Sequence, residues 1–220
     1  MKLDTLAHAS VSLWELFQPR KSLLQGKNNL NLSFGIIAMG ANLPAATSTP
    51  ADSLKAAMAL LHSEPDVSIT RASQFWRTPA HPPGSGPDFV NAAAGLLTSL
   101  TPQALLERLH MIEARIGRDR STGRWSARVL DLDLIGWSDL ILPDIATLRH
   151  WMALPPEKQA RQAPERLILP HPRMHERGFV LVPLAQIAPQ WRHPLTGKTV
   201  ARMLAALPAS DIAKITPLWP

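Results

Sequence analysis

The chain has 220 residues, a formal net charge of +6 and no cysteine. That length suits one domain with a proper core, and a composition 45% apolar and 18% charged belongs to a globular chain rather than a disordered one. The missing cysteines exclude disulfides and thiolate metal sites and fit a reducing, cytoplasmic setting, while the positive charge favours anionic ligands.

Residues 1–31 mix polar and apolar residues and show no small-residue cleavage site after an apolar core. They are expected to be a poorly ordered N-terminal extension, or a start codon set too far upstream, rather than a targeting peptide. Residues 32–220 are expected to form a single domain. "LSFGIIAMG" reads as a buried strand ended by a tight turn at Gly40. Asp52 is placed to cap a helix to about His62, with Leu54, Met58 and Leu61 on one face. "VSITRASQFWRT" reads as one strand, "PAHPPGSGP" as a loop and "DFVNAAAGLLTSL" as a second strand. Thr101 caps, and Pro102 opens, a helix to about Ile116; "RVLDLDLIGW" is the next strand. This β-α-β-β-α-β order predicts a ferredoxin-like α+β sandwich, an antiparallel sheet with helices on one face. Further on, Ile145, Leu148 and Met152 keep helical spacing up to a Pro-Pro break, and "GFVLVPLAQIAP" and "TVARMLAAL" read as short closing helices. No apolar run is long enough to span a bilayer, so no membrane partner is expected.

The chemistry gathers around "RWSARVLDLDLIGW". Alternation on a strand puts Asp131 and Asp133 on one face and Leu130, Leu132 and Leu134 on the other. Two carboxylates about 7 Å apart repel in a partly dry site unless cations stand beside them. A lone D-x-D is more often a hydrated surface, but Arg118, Arg120, Arg124 and Arg128 lie close by. Oxygen-only donors favour Mg²⁺ or Mn²⁺, and metals plus arginines suit a polyphosphate. Other motifs fare worse. "PLTGKT" ends as a phosphate-binding P-loop does, but its first glycine is replaced by Arg192 and Pro194 removes an amide, leaving a turn at Gly197 and a cap at Thr199. His171 and His175 are four apart, but Pro172 argues against one helix presenting both to zinc.

These residues together resemble the 6-hydroxymethyl-7,8-dihydropterin pyrophosphokinase family of folate biosynthesis. The resemblance rests on "RWSARVLDLDLI", on "GANL", on "FWRTPA" followed by "PDFVNAA", and on "LPHPRMHERGFVLVPLAQIAP", and runs from about Phe34 to Pro194. It implies a ferredoxin-like fold and an ATP-dependent diphosphotransferase that moves the terminal two phosphates of ATP onto the pterin hydroxymethyl oxygen, releasing AMP. By motif, Asp131 and Asp133 resemble the pair that holds two Mg²⁺ ions, and Arg118 and Arg128 the catalytic arginines. Gly40, Thr78, Pro79, Phe89, Asn91 and Phe179 match the pterin pocket, and Trp125 the mobile loop over it. Glu113, Arg120, Arg128, His171 and Arg177 match ATP-binding positions, with Glu113 expected at the ribose or adenine edge. Phe89 stands where the family often has tyrosine, Pro172 where some relatives have an aromatic, and His81 where an apolar residue is common.

The segment 142–166 looks longer than in compact members and is expected to form an ordered flap beside the nucleotide. The resemblance implies small-molecule partners only, without nucleic acid, and a monomer is expected. A basic ferredoxin-like module that binds RNA is the alternative from another class, and a carboxylate-bearing face opposes it. A third is an inactive relative kept as a scaffold, against which both aspartates and the arginines stand intact.

Overall fold

The computed structural model describes residues 32–45, 48–80, 84, 86–118, 128–155, 157–158 and 162–219. The expected extension over 1–31 lies outside them. So do the site candidates Arg120 and Trp125, together with Arg124 and His81.

The chain runs from β1 (Ser33–Ala41) into α1 (Pro50–Ser63), then β2 (Val67–Ala72), β3 (Trp76–Thr78), β4 (Phe89–Thr98), α2 (Pro102–Ile116) and β5 (Asp131–Trp137). α1 begins with a reciprocal capping box in which Thr49 is the cap and Asp52 the third helical residue, so the helix starts about one turn earlier than a cap at Asp52 would put it. α2 starts as its sequence predicts, with Thr101 accepting the Ala104 N–H and Pro102 in the first turn. Past these come α3 (Ile145–Ala153), a 3₁₀ turn at Met174–Glu176, α4 (Gly178–Ile187), α5 (Val200–Ala205), α6 (Ala209–Ile212) and β6 (Thr216–Pro217).

The strands form a sheet in the order β5-β1-β4-β3-β6, with β2 also pairing β4, and every pairing is antiparallel. The strand expected over "VSITRASQFWRT" is therefore two strands along one edge of β4. The break at Ser73–Phe75 has a physical cause. Ser73 exchanges bonds with Ala93 through its backbone N–H and its hydroxyl, and Gln186 Oε1 accepts from both Gln74 N–H and Trp76 Nε1.

Alternation gives the sheet two apolar faces. Ile37, Met39, Ala92, Leu96, Leu132 and Leu134 pack with Leu54, Met58, Leu105 and Leu109 of α1 and α2. Ile36, Ala93 and Ile135 pack with Val180, Leu181 and Leu184 of α4 and Val200 and Met203 of α5. Helices thus cover both faces rather than the one expected, because α4 is apolar nearly all round and needs burial on more than one side. Asp131 and Asp133 share the second face with Ile135, beside the start of α4. Among the described residues no helix is long and apolar enough to cross a membrane.

Candidate active site

Backbone register assembles the site. Gly40 of β1 is paired with Asn91 of β4 on one side and with Asp131 of β5 on the other, and Asn91 is paired in turn with Trp76 of β3. One step along, Ala38 separates Ala93 from Asp133. The strip between amide and carboxylates is therefore paved with glycine and alanine. Gly40 does not end its strand, since β1 continues through Ala41. A Cβ at Gly40 would lie 2.7 Å from Asn91 Oδ1, so close approach, rather than a turn, demands glycine there.

On the Asn91 side of the register, buried Asn91 donates from Nδ2 to Thr78 Oγ1 at 2.7 Å. Phe89 pairs with Thr78 and stands two residues from Asn91 on the same face, half-buried. Phe179, also half-buried, lies in the first turn of α4 under the Arg177 guanidinium, 5.6 Å from its ring centre. Pro79 directly follows β3. Thus Gly40, Thr78, Phe89 and Asn91 converge, with Phe179 presented by the opposing helix.

On the other side, each oxygen of Asp131 is taken by an arginine: Arg118 Nη1 at 2.6 Å from Oδ1 and Arg128 Nη1 at 2.5 Å from Oδ2. The way Arg118 gets there is built into α2. Gly117 adopts φ 103°, a left-handed conformation suited to glycine, and the reversed chain lets Arg118 N–H reach Glu113 O at 3.0 Å. The Arg118 side chain then falls back onto the Glu113 carboxylate. Glu113 is 1% exposed and also accepts the Leu132 N–H at 2.7 Å, on the outer edge of β5. Glu113, which the resemblance matches to an ATP-binding position, is here a buried carboxylate that binds Arg118 and a strand edge.

Burial, and then the neighbouring Asp133 charge, push the Asp131 carboxyl above its ordinary value even though Arg128 and Arg118 pull it down. Burial likewise pulls Arg177 below an ordinary arginine, opposed by Asp133 and Asp131. His171 donates its backbone N–H to Ile135 O at 2.8 Å, so the segment after α3 also covers the edge of β5. Its Nδ1 accepts the Arg173 N–H at 3.1 Å, which leaves the proton of the neutral ring on Nε2. Burial, followed by Arg177, lowers its pKa to about 3, so the ring is neutral at pH 7.

The two carboxylates suit a hard divalent cation that draws the rest of its oxygen shell from phosphates and water. Among the described residues no group of three or more His, Asp or Glu gathers as a self-sufficient metal cage. The rejected P-loop is a turn: Gly197 has φ 67°, Arg192 bridges Thr199, and Thr199 caps α5. Sequence reasoning missed Asn42, which is buried beside the site, because its partners lie far along the chain.

Comparison with known proteins shows the family. Residues 36–189 match the family model for 7,8-dihydro-6-hydroxymethylpterin-pyrophosphokinase. A 2-amino-4-hydroxy-6-hydroxymethyldihydropteridine pyrophosphokinase of Synechocystis sp. is 36% identical over 166 residues, 76% of this chain and 74% of that protein. The enzyme of the same name from Pseudomonas aeruginosa is 33% identical over 179 residues, 81% of this chain and 94% of that one. Among solved structures, wild-type HPPK-DHPS of Plasmodium falciparum superposes with a TM-score of 0.56 at 12% identity, a likeness of fold alone. It covers 84% of this chain, which spans 46% of that longer protein. The matched stretch includes every element that positions the candidate site, from Ile36 in β1 to Ile187 in α4, and the chain belongs to the 7,8-dihydro-6-hydroxymethylpterin-pyrophosphokinase family.

Proposed function

We propose that the second face of the sheet transfers pyrophosphate from ATP to 6-hydroxymethyl-7,8-dihydropterin, with Asp131 and Asp133 as the metal-bearing pair. The pterin hydroxyl oxygen forms a bond to the β-phosphorus, the bond from that phosphorus to the oxygen bridging to the α-phosphate breaks, AMP departs with that oxygen, and the hydroxyl proton passes to solvent. The observation that carries this reading is the register Asn91–Gly40–Asp131, which sets a heterocycle-binding amide and an acidic pair side by side on one face.

Two Mg²⁺ ions held by Asp131 and Asp133 would supply neutralisation of the triphosphate and acidification of the attacking hydroxyl. The chain's own residues do the rest. Asn91 spends one amide hydrogen on Thr78, and its carboxamide has a second N–H and an acceptor oxygen to offer the amide-like edge of the pterin. Phe89 and Phe179 offer aromatic faces to the ring, and Gly40 and Pro79 line its edge. Arg118 and Arg128, gripping Asp131 in this structure, are long enough to turn from that carboxylate to the phosphates and stabilise the transferring group. Glu113 acts through Arg118 as a positioning residue. His171 donates from Nε2 to a phosphate oxygen, and Arg177 faces the same charge. Arg120 as an ATP contact and Trp125 as part of a closing loop complete the proposal.

The test is the product. Incubation of the protein with ATP, Mg²⁺ and 6-hydroxymethyl-7,8-dihydropterin yields one AMP per pterin consumed. Release of ADP, or nucleotide turnover indifferent to the pterin, overturns the assignment.

A further inference from the structure

Asn42 follows β1 directly and is 4% exposed. Its Oδ1 accepts the backbone N–H of Arg128 at 2.6 Å, and its Nδ2 donates to the carbonyl of Pro87 at 3.1 Å. Both partners have fixed polarity, so the orientation of the carboxamide is determined. The Arg128 carbonyl is held from the same place, accepting the N–H groups of Asn42 and Leu43 at 2.9 and 3.1 Å. The whole Arg128 peptide is thereby clamped at the end of β1, while its side chain reaches Asp131. Pro87 lies two residues before Phe89, at the end of the segment that leads into the pterin side of the site. Gly86 packs against the same group, since a Cβ there would lie 3.6 Å from Asn42 Nδ2.

We propose that Asn42 is a positioning residue that couples the two halves of the site, so that a pterin seated beside Pro87 and Phe89 fixes Arg128 for the triphosphate, and the reverse. The inference rests on the proposed roles of Phe89 and Arg128. Few other side chains serve as well, because the position needs an acceptor and a donor on one short neutral group. Coupling between two sites is reciprocal: if pterin tightens nucleotide binding, nucleotide tightens pterin binding by the same factor.

The experiment measures the affinity of a non-hydrolysable ATP analogue with Mg²⁺, in the presence and absence of the pterin, for wild type, Asn42→Ala and Asn42→Asp. Wild type should show tightening of about 5- to 150-fold, the usual span for coupled sites. Asn42→Ala should bring that factor close to one. Asn42→Asp keeps the acceptor for Arg128 but loses the donor to Pro87. It should therefore also lose the coupling while holding kcat nearer wild type than Asn42→Ala does, a division that a purely structural residue would not produce. An unchanged coupling factor in either variant, or none in wild type, overturns the proposal. Failure of the underlying site reading looks different, because Asp133→Asn would then retain turnover whatever Asn42 does.

Discussion

At the scale of single residues, the acidic pair was legible from strand alternation alone, because period two is local and puts positions 131 and 133 on one face whatever the rest of the chain does. Gly40 was legible as a glycine under constraint, though for the wrong reason: its need is set by Asn91, 51 positions later, through the pairing of β1 with β4. The contacts of Glu113 and Asn42 were not legible, since one bonds the outer edge of β5 and the other ties together peptides 45 and 86 residues away. The Gly40 contact makes a sharp prediction. In Gly40→Ala the new methyl must displace the Asn91 amide, which strains or breaks its bond to Thr78. Loss of one such bond costs about 1 kcal/mol, or roughly fivefold. Steady-state kinetics should show KM for the pterin rising by at least about that factor, with KM for ATP little changed. A variant with wild-type pterin KM contradicts the placement of Asn91.

Among elements, those with local signals were read well: α2 from its cap at Thr101 and from Pro102, and α4 and α5 as short closing helices. Elements shaped by distant partners were not. The break between β2 and β3 depends on Gln186 and Ser73, and β6 has only two residues, one of them proline, added to the edge of β3. The segment 142–166 yields a partial result. Its helix is real, capped by Asp144 and seated through buried Leu148, but Ile145 on the expected apolar stripe is 49% exposed. The excursion is closed at its base by reciprocal bonds between Leu142 and Leu169, which deliver the chain to His171. We propose that it acts as a flap over the nucleotide. Replacing Asp144–Pro164 with a short Gly/Ser link keeps the base and should raise KM for ATP about fivefold, the effect of one lost kcal/mol, with pterin KM unaffected. Unchanged kinetics would make the excursion decoration.

For the molecule as a whole, two faces of one sheet divide the labour: α1 and α2 bury one, and α4 packs on the other beside the residues of the proposed chemistry. Histidines on that second side set a pH dependence. His171 is depressed to about 3 by burial and then Arg177, and fully buried His193 to about 4 by burial and then His175. Unfolded histidine titrates near 6.5, so between 6.5 and these values the unfolded chain binds more protons. Stability from both residues is therefore present above pH 6.5 and declines as pH falls towards 4 and 3. His175, also lowered by burial, adds to that trend, and Asp131, raised above its ordinary value, contributes with the opposite sign, one group against three. Urea midpoints should fall between pH 7 and 5, and a midpoint that rises on acidification contradicts the buried neutral rings. The central claim is that the acidic face works on a metal-bound triphosphate, and the most direct measurement is pterin-dependent AMP formation by Asp131→Asn and Asp133→Asn, titrated with Mg²⁺. Both changes keep side-chain shape, and Asp133→Asn should melt near wild type. Asp131→Asn also gives up its ion pairs with Arg118 and Arg128 and should melt somewhat lower, so its kcat is read at a temperature where both variants are folded. The account predicts that each variant loses on the order of 10²-fold or more in kcat, as expected when several kcal/mol of charge stabilisation vanish. Near-normal AMP formation with unchanged Mg²⁺ dependence in either variant would contradict it.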